Sequence, residues 1–199
     1  MPHPTIYYIR HGETAWNAAG RFQGAQDIPL NERGQAQAAQ AGAILKDLIA
    51  RNGHDVPALG FVASPLGRAR HTMELVRGAL EVPVADYALD DRLREIRYGH
   101  WEGFTLAQMQ VSHPEHYASR ELDKWGVPAP GGESYALVTE RMREWAGSLQ
   151  GDTVAVAHGG TARALMVALG VETTTSVLDL FIEQGAVYVF RDGGIAKYR

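Results

Sequence analysis

"TIYYIRHGETAWN", Thr5 to Asn17, opens as a buried strand and ends in charge. Thr5 to Ile9 are β-branched and aromatic residues, which suit a packed, pleated surface, yet Arg10, His11, Gly12 and Glu13 follow at once. Desolvating ionisable groups is costly unless they are partnered. A core strand that delivers a guanidinium and an imidazole to its end therefore calls for a structural ion pair or a bound anion there. Two further runs repeat the pattern: "LGFVAS" (Leu59 to Ser64) and "TVAVAH" (Thr153 to His158) are short and apolar, each followed by polar or glycine-rich residues and then a helical periodicity.

The helical stretches fall between the strands. "LNERGQAQAAQAGAILKDLIARNG" has Asn31 as N-cap and Gly53 as stop, with Ala36, Ala39, Ala43, Leu45 and Leu48 as its expected apolar side. Pro65 suits the first turn of a helix running through "LGRARHTMELVRGAL". "GESYALVTERMREWAGSL" leads into the third strand, and "GTARALMVALG" leads out of it. At the end, "GAVYVFRDGGIAKYR" reads as two strands around an Asp-Gly-Gly turn. Strands alternating with helices imply an α/β fold with a mostly parallel sheet. Loops after parallel strands lie on one edge of such a sheet, so Arg10-His11, Ser64 to Arg68 and His158-Gly159 are expected to converge.

With 199 residues and 45% hydrophobic content the chain can bury one sizeable core, so one domain over 1–199 is expected. The stretch from Val82 to Ser134 is less regular, with Pro114, Pro128, Pro130 and the Gly131-Gly132 pair, and reads as an insertion near the site over about 88–134. A net charge of -4 with interspersed signs offers no broad basic field for nucleic acid or an anionic membrane, so any anion site is local. The absence of cysteine excludes disulfides, thiolate metal sites and a cysteine nucleophile. No apolar run is long enough to span a bilayer, and "MPHPTIYYIR" lacks a basic leader, so a cytoplasmic protein is expected.

Four spaced elements carry chemistry: "RHGETAWN", "SPLGRARHT", "LREIRYGHWEG" and "VAHGG". A phosphoryl group needs positive charge dispersed over three oxygens, best supplied by planar guanidinium forks, and a nucleophile in line with the leaving oxygen. On residue type alone, Arg10 competes with a salt bridge to Glu13, and Asn17 with a turn-capping role. Arg68 competes with Arg70, and Glu95 with Asp90, Asp91 and Glu102 for the role of proton donor. His113 and His116 in "HPEH" suggest a metal pair, but the proline breaks the helical spacing and surface roles are expected instead. Trp16, Trp101, Trp125 and Trp145 read as core or pocket-wall residues.

In these four blocks, in this order from Tyr8 to Gly160, the chain resembles the histidine phosphatase superfamily, which includes cofactor-dependent phosphoglycerate mutases and smaller phosphatases. The likeness covers essentially the whole chain. It implies a phosphoglycerate mutase-like three-layer α/β/α sandwich, with His11 as the nucleophile that becomes a phosphohistidine. Arg10, Asn17, Arg68 and His158 would bind the phosphoryl oxygens, and Glu95 would donate the proton. The spacing "SPLxRAxxT" selects Arg68 over Arg70. Gln23 and the Gly24 backbone N–H, in the loop "GRFQGAQDIPL", resemble family positions near the substrate, as do Tyr98 and Gly159.

The residues are physically suited to those roles. Neighbouring guanidiniums disfavour protonation of His11 and leave the imidazole free to attack. Its second nitrogen needs an acceptor to fix the tautomer, and a nearby main-chain carbonyl is expected. A dianionic ester beside Glu95 favours its protonated form. Arginines take over the charge neutralisation that magnesium provides elsewhere, so neither metal nor cofactor is expected.

Family mutases place a basic residue directly after the catalytic acid, with more lysine and arginine downstream. Here Ile96 follows Glu95, and no lysine or arginine occurs from Tyr98 to Ser119. Without extra cations the site is expected to favour leaving groups that are small, neutral or partly apolar, and to hydrolyse a phosphomonoester of a small metabolite. Tyr98 is shared with the mutases, and Arg97, Arg120 and Lys124 keep a mutase as the alternative. A third reading, a phosphate-binding regulatory module without turnover, is disfavoured by the full set of reactive residues. Sugar phosphates, phosphoglycerate, a ribazole phosphate and nucleotides all fit as substrates, and a monomer and a homodimer are equally compatible with the sequence.

Overall fold

The computed structural model describes residues 3–199; Met1 and Pro2, the start of the stretch "MPHPTIYYIR", lie outside the described residues. A six-stranded sheet is built from β1 (Ile6–Arg10), β2 (Gly60–Ala63), β3 (Ala88–Leu89), β4 (Thr153–Ala157), β5 (Val187–Arg191) and β6 (Gly194–Tyr198). Their spatial order is β3-β2-β4-β1-β5-β6; the first four are mutually parallel, whereas β5 and β6 run antiparallel to their neighbours. Asp192 and Gly193 both have positive φ, the backbone a two-residue hairpin needs to match strand twist.

The described residues form seven α-helices, α1 (Ala15–Ala18), α2 (Glu32–Asn52), α3 (Gly67–Ala79), α4 (Leu106–Ser112), α5 (Pro114–Leu122), α6 (Tyr135–Gly147) and α7 (Gly159–Ala168), of which α2, α3, α6 and α7 cover the faces of the sheet. Strand alternation sorts the core into two halves. Tyr7, Ile9, Val154 and Val156 pack on Leu45 and Leu48 of α2 and Met73 and Val76 of α3. Ile6, Tyr8, Ala155 and Ala157 pack on Val138, Met142 and Trp145 of α6 and Leu165 of α7. The result is the expected mixed α/β fold with helices on both faces of a mostly parallel sheet. Among the described residues, no helix is long and apolar enough to cross a membrane.

Two local expectations are corrected. Asn31 and Gly53 cap α2 as expected, Gly53 in the left-handed conformation, but Ala36, Ala39 and Ala43 are exposed. The buried face is Ala38, Ala41, Gly42, Leu45, Leu48 and Ile49. Alanine carries too little apolar surface to choose a face; the large residues near the C-terminal end turn the helix, and Gly42 lets α3 approach, since a Cβ there would lie 2.6 Å from that of Ala79. Pro65 lies ahead of α3 and not in its first turn. The chain stays extended at Leu66, and the Gly67 N–H donates to Asp27 Oδ2 at 2.8 Å, so a side chain from another loop satisfies a free helix-start donor.

Register places the site. Arg10 is paired with Ala157 across β1 and β4, and Ala63 with Val156 across β2 and β4. The ladder runs one residue further: His11 N donates to Ala157 O and Ser64 N to Val156 O, each at 2.9 Å. His11, Ser64 and His158 therefore leave the sheet at one level, as expected from the three strand ends.

Candidate active site

A cleft of about 260 Å³ opens at that edge, and its lining includes Arg10, His11, Asn17, Gln23, Gly24, Arg68, Glu95, Tyr98 and Gly159. His158 lies behind this wall, fully buried, with its ring centroid 5.1 Å from that of His11.

His11 is buried, and its Nδ1 is 2.7 Å from the Gly12 carbonyl oxygen. A carbonyl only accepts, so Nδ1 carries the proton and the lone pair is on Nε2, at the opposite edge of the ring. Burial, then the charges of Arg68 and Arg10, hold the ring well below the ordinary histidine range, against the Gly12 hydrogen bond. His158 is lowered in the same way, by burial first and then by Arg68, His11 and Arg10. Its Nε2 is 2.7 Å from Ser64 Oγ, so the end of β2 orients the residue that ends β4. Tyr8 on β1 fixes its backbone, its hydroxyl donating to the His158 carbonyl at 2.7 Å.

Main-chain carbonyls anchor the two arginines, and Arg68 also has Asp27 Oδ1 at 4.0 Å. Arg10 Nη1 donates to the Ile182 carbonyl at 2.6 Å. Arg68 donates to the carbonyls of Gln26 and Gly24, which draws the loop after α1 over the site. Burial lowers both guanidinium pKa values from the ordinary arginine value, against the attraction of Glu95. Glu13, the rival partner for Arg10, instead accepts from Asn31 Nδ2 at 2.9 Å and pairs with Arg33 at 3.5 Å. Arg70 is exposed on α3.

Among the described residues, the buried side-chain polar atoms with no hydrogen-bond partner are Arg10 Nε, Gln23 Oε1, Arg68 Nε, His158 Nδ1 and Arg163 Nε. Buried polar groups are almost always paired, so this concentration of unpaired polar atoms, three of them guanidinium N–H donors, around one cleft marks where a ligand completes them.

Asn17 combines both roles weighed from the sequence. Its Oδ1 accepts from the backbone and hydroxyl of Thr14 and from Gln184 Nε2, forming a capping box for α1. That use of the oxygen leaves Nδ2, in a residue lining the cleft, as a donor.

Of the four acids weighed, Glu95 alone lines the cleft. Asp90 is held by Arg92 at 2.6 Å and Asp91 by Arg94 at 2.6 Å. Glu102 ties the backbone of Ala25 to that of Tyr98. Glu95 Oε1 accepts from the backbone N–H groups of Ile96 and Gly160 at 2.9 and 3.0 Å. The glycine at 160 serves this carboxylate, since a Cβ there would lie 2.4 Å from Glu95 Oε1. The Gly159-Gly160 pair thus admits Glu95 to the start of α7.

Sequence reasoning missed Arg163, Phe22, Arg21 and Phe181, all of which line the cleft. Arg163 had a usable signal: it stands four residues after Gly159, one turn along the same face of α7. Phe181 had none, because it comes from the irregular segment before β5.

A second cavity of about 130 Å³ shares Phe22, Tyr98 and Arg163 with the cleft, and Arg120 and Lys124 line it. Two cations left unplaced by the sequence, on α5 and the loop after it, thus stand beside the cleft and not in it. Arg97, the third unplaced cation, is exposed and pairs with Glu133 at 3.6 Å. The supposed metal pair is engaged elsewhere: His113 accepts from Trp101 Nε1 at 3.1 Å, and His116 Nε2 is 2.8 Å from the Pro128 carbonyl.

Comparison with known proteins agrees with this geometry. The family model of the histidine phosphatase superfamily (branch 1) matches residues 6–193. The chain is 38% identical to the glucosyl-3-phosphoglycerate phosphatase of Mycobacterium tuberculosis over 181 residues, 82% of this chain and 74% of that one. It is 35% identical to the probable phosphoglycerate mutase GpmB of Erwinia tasmaniensis over 139 residues, 70% of this chain; the match spans 60% of that protein's length. In three dimensions it resembles YhfR of Bacillus stearothermophilus, with a TM-score of 0.76 and 30% identity over 97% of this chain and 94% of that one. Two buried histidines, a buried and a half-buried arginine and a carboxylate at the rim of a parallel sheet thus meet an independent match across nearly the full length: the chain belongs to the histidine phosphatase superfamily.

Proposed function

We propose that the protein hydrolyses small phosphomonoesters through a phosphohistidine at His11, without a metal. The observation that carries this reading is the buried His11 ring, which lines one cleft with Arg10 and Arg68 and has Nδ1 on the Gly12 carbonyl, so that a neutral nitrogen is available to a site suited to a dianion. Arg10, Arg68, Asn17 Nδ2 and His158 bind the phosphoryl oxygens, and the N-terminus of α7 adds its positive end. Gln23, Gly24, Tyr98 and Gly159 contact the substrate, and residues 88–134 set its specificity within one domain.

In the first step His11 Nε2 forms a bond to phosphorus as the ester P–O bond breaks, and protonated Glu95 gives its proton to the departing alkoxide. In the second, Glu95 takes a proton from water, the hydroxide attacks phosphorus and the N–P bond breaks. Inorganic phosphate leaves with His11 neutral and Glu95 protonated again. Bound phosphate supplies the negative charge against which His158 takes up a proton and donates. The guanidiniums carry the charge stabilisation that a divalent ion supplies in other phosphoryl-transfer sites, which supports metal independence.

The likeness to a phosphatase of a phosphorylated small metabolite supports hydrolysis. A mutase is the second reading, favoured by the placement of Arg120 and Lys124 and by the likeness to a probable phosphoglycerate mutase. Rapid quench with a ³²P-labelled ester, in the presence of chelator, tests the proposal. Label is expected on His11, and His11→Ala is expected to lose both label and turnover, by about 10⁴-fold or more. Turnover without label on that ring would overturn it, and isomer formation from 3-phosphoglycerate dependent on a bisphosphate primer would select the mutase.

A further inference from the structure

Among the described residues, every lysine and arginine has a carboxylate oxygen within 4.0 Å except Arg10, Arg21, Arg70, Arg120, Lys124 and Arg163. Arg70 is exposed on α3, away from both cavities. The other five line the cleft or the cavity beside it. In a chain of net charge -4, unneutralised cations have been gathered in one place. Arg10 and Arg21 belong to the cleft, Arg163 to both cavities, and Arg120 and Lys124 to the second alone, which is more positive charge than one phosphoryl group uses.

The second cavity combines these cations with an aromatic wall. Phe22 and Tyr98 stand at its junction with the cleft, their rings edge to face at 4.7 Å, and Trp101, Met109 and Tyr135 line its interior. Tyr135 is held by Trp125, stacked on it at 5.0 Å, so the wall is rigid. Arg120 is buried, and its guanidinium reaches only the carbonyls of Val127 and Lys124, which leave its charge uncompensated. One acid, Glu121, faces the two cations on this side. At about 130 Å³ the chamber approaches the volume of roughly 150 Å³ that takes up benzene in an engineered cavity, so it suits one ring or an equally compact group.

Glu95, which hands its proton to the leaving oxygen, lines the cleft together with Phe22, Tyr98 and Arg163, the three residues that the chamber shares, so an alcohol departing past them enters the chamber. Resting on the phosphatase reading above, we infer that the preferred substrates are monoesters whose alcohol part carries a compact ring with an anionic substituent, the ring against the aromatic wall and the anion on Arg120, Lys124 and Arg163. Lys124 and Glu121 are the specificity-determining residues of this subsite. Arg120 also holds the loop that follows α5, so replacing it would disturb the backbone together with the charge.

The test compares 3-carboxyphenyl phosphate with 3-carbamoylphenyl phosphate, two esters of like shape that differ in charge. The ratio of their kcat/KM values is expected to favour the carboxylate by about tenfold. Lys124→Met is expected to lower that ratio several-fold and Glu121→Gln to raise it. A ratio near one in the wild-type protein, or one unmoved by both substitutions while turnover continues, overturns the inference and leaves the phosphatase reading standing. Failure to hydrolyse either ester, or equal rates in His11→Ala, removes that reading and the inference with it.

Discussion

The strand ends and the segment from 88 to 134 supply the same cleft by opposite means. At the strand ends, ladder hydrogen bonds set His11, Ser64 and His158 at one level. In the 88–134 segment the backbone consists of a two-residue strand, two short helices and turns, and side chains are placed by single contacts such as Glu102 to Ala25 and Arg120 to Val127. Regular pairing fixes reactive groups to a fraction of an ångström; irregular chain permits a pocket to be reshaped without disturbing them. On the function proposed above, the contrast separates the chemistry from the choice of substrate.

Glu95 crosses that division, since it comes from the irregular segment yet is pinned by the N–H of Gly160 at the start of α7. If it protonates the leaving oxygen, its removal matters only when that oxygen needs a proton. Glu95→Gln is expected to lower kcat/KM for an alkyl phosphate by about 10²–10⁴, and for 4-nitrophenyl phosphate by less than about tenfold, because nitrophenolate departs unprotonated. The ratio kcat/KM is the quantity to measure, since it covers the steps up to phosphoryl transfer and omits attack by water. Equal losses on both esters would return Glu95 to a positioning role and restore the boundary between the two regions.

A smaller effect comes from the two histidines at the strand ends. Both are held below the ordinary value when folded, so the unfolded chain takes up protons first. Their contribution to stability is whole above about pH 6.5 and is lost as pH falls from there toward the folded values, at up to about 1.4 kcal/mol per pH unit for each ring. Urea midpoints from pH 7.5 to 5.5 are expected to decline in the free protein, with a shallower decline in His158→Gln. Inorganic phosphate, by favouring the charged His158, is expected to flatten the slope as well. A pH-independent midpoint would show that the rings are solvated and that the cleft is less dry than their burial implies.

What is legible in the sequence follows the same division. β1, β2 and β4 announce themselves because buried parallel strands are short apolar runs. Arg10, His11 and His158 are legible because charge at the end of such a run is desolvated and must be compensated by a partner or a ligand, whereas Arg68 is told from Arg70 only by the family spacing "SPLxRAxxT". The orientation of α2 is not legible in its alanines, whereas Leu45, Leu48, Ile49 and the bare Gly42 decide which face is buried. Arg120 and Lys124 are illegible as pocket residues: they stand 25 or more positions after Glu95, and only the path of α4 and α5 brings them back beside Tyr98. No periodicity encodes a turn of that kind.

The smallest expected effect concerns the outer surface of the irregular segment. Val111 on α4 and Leu122 at the end of α5 are 84% and 91% exposed, whereas Ile9 on β1 is fully buried. Removing side-chain carbons from Ile9 leaves a cavity under the active site, and Ile9→Ala is expected to cost about 2–5 kcal/mol. Val111→Ala and Leu122→Ala remove surface already in water and are expected to stay within about 0.5 kcal/mol. Chemical unfolding at two protein concentrations checks both. A loss above about 1 kcal/mol that grows with concentration would mean these side chains are covered by a second copy in solution, since only association makes stability depend on mass action. In that case the segment that shapes the chamber would be braced from outside, and its freedom to vary would be narrower than its backbone suggests.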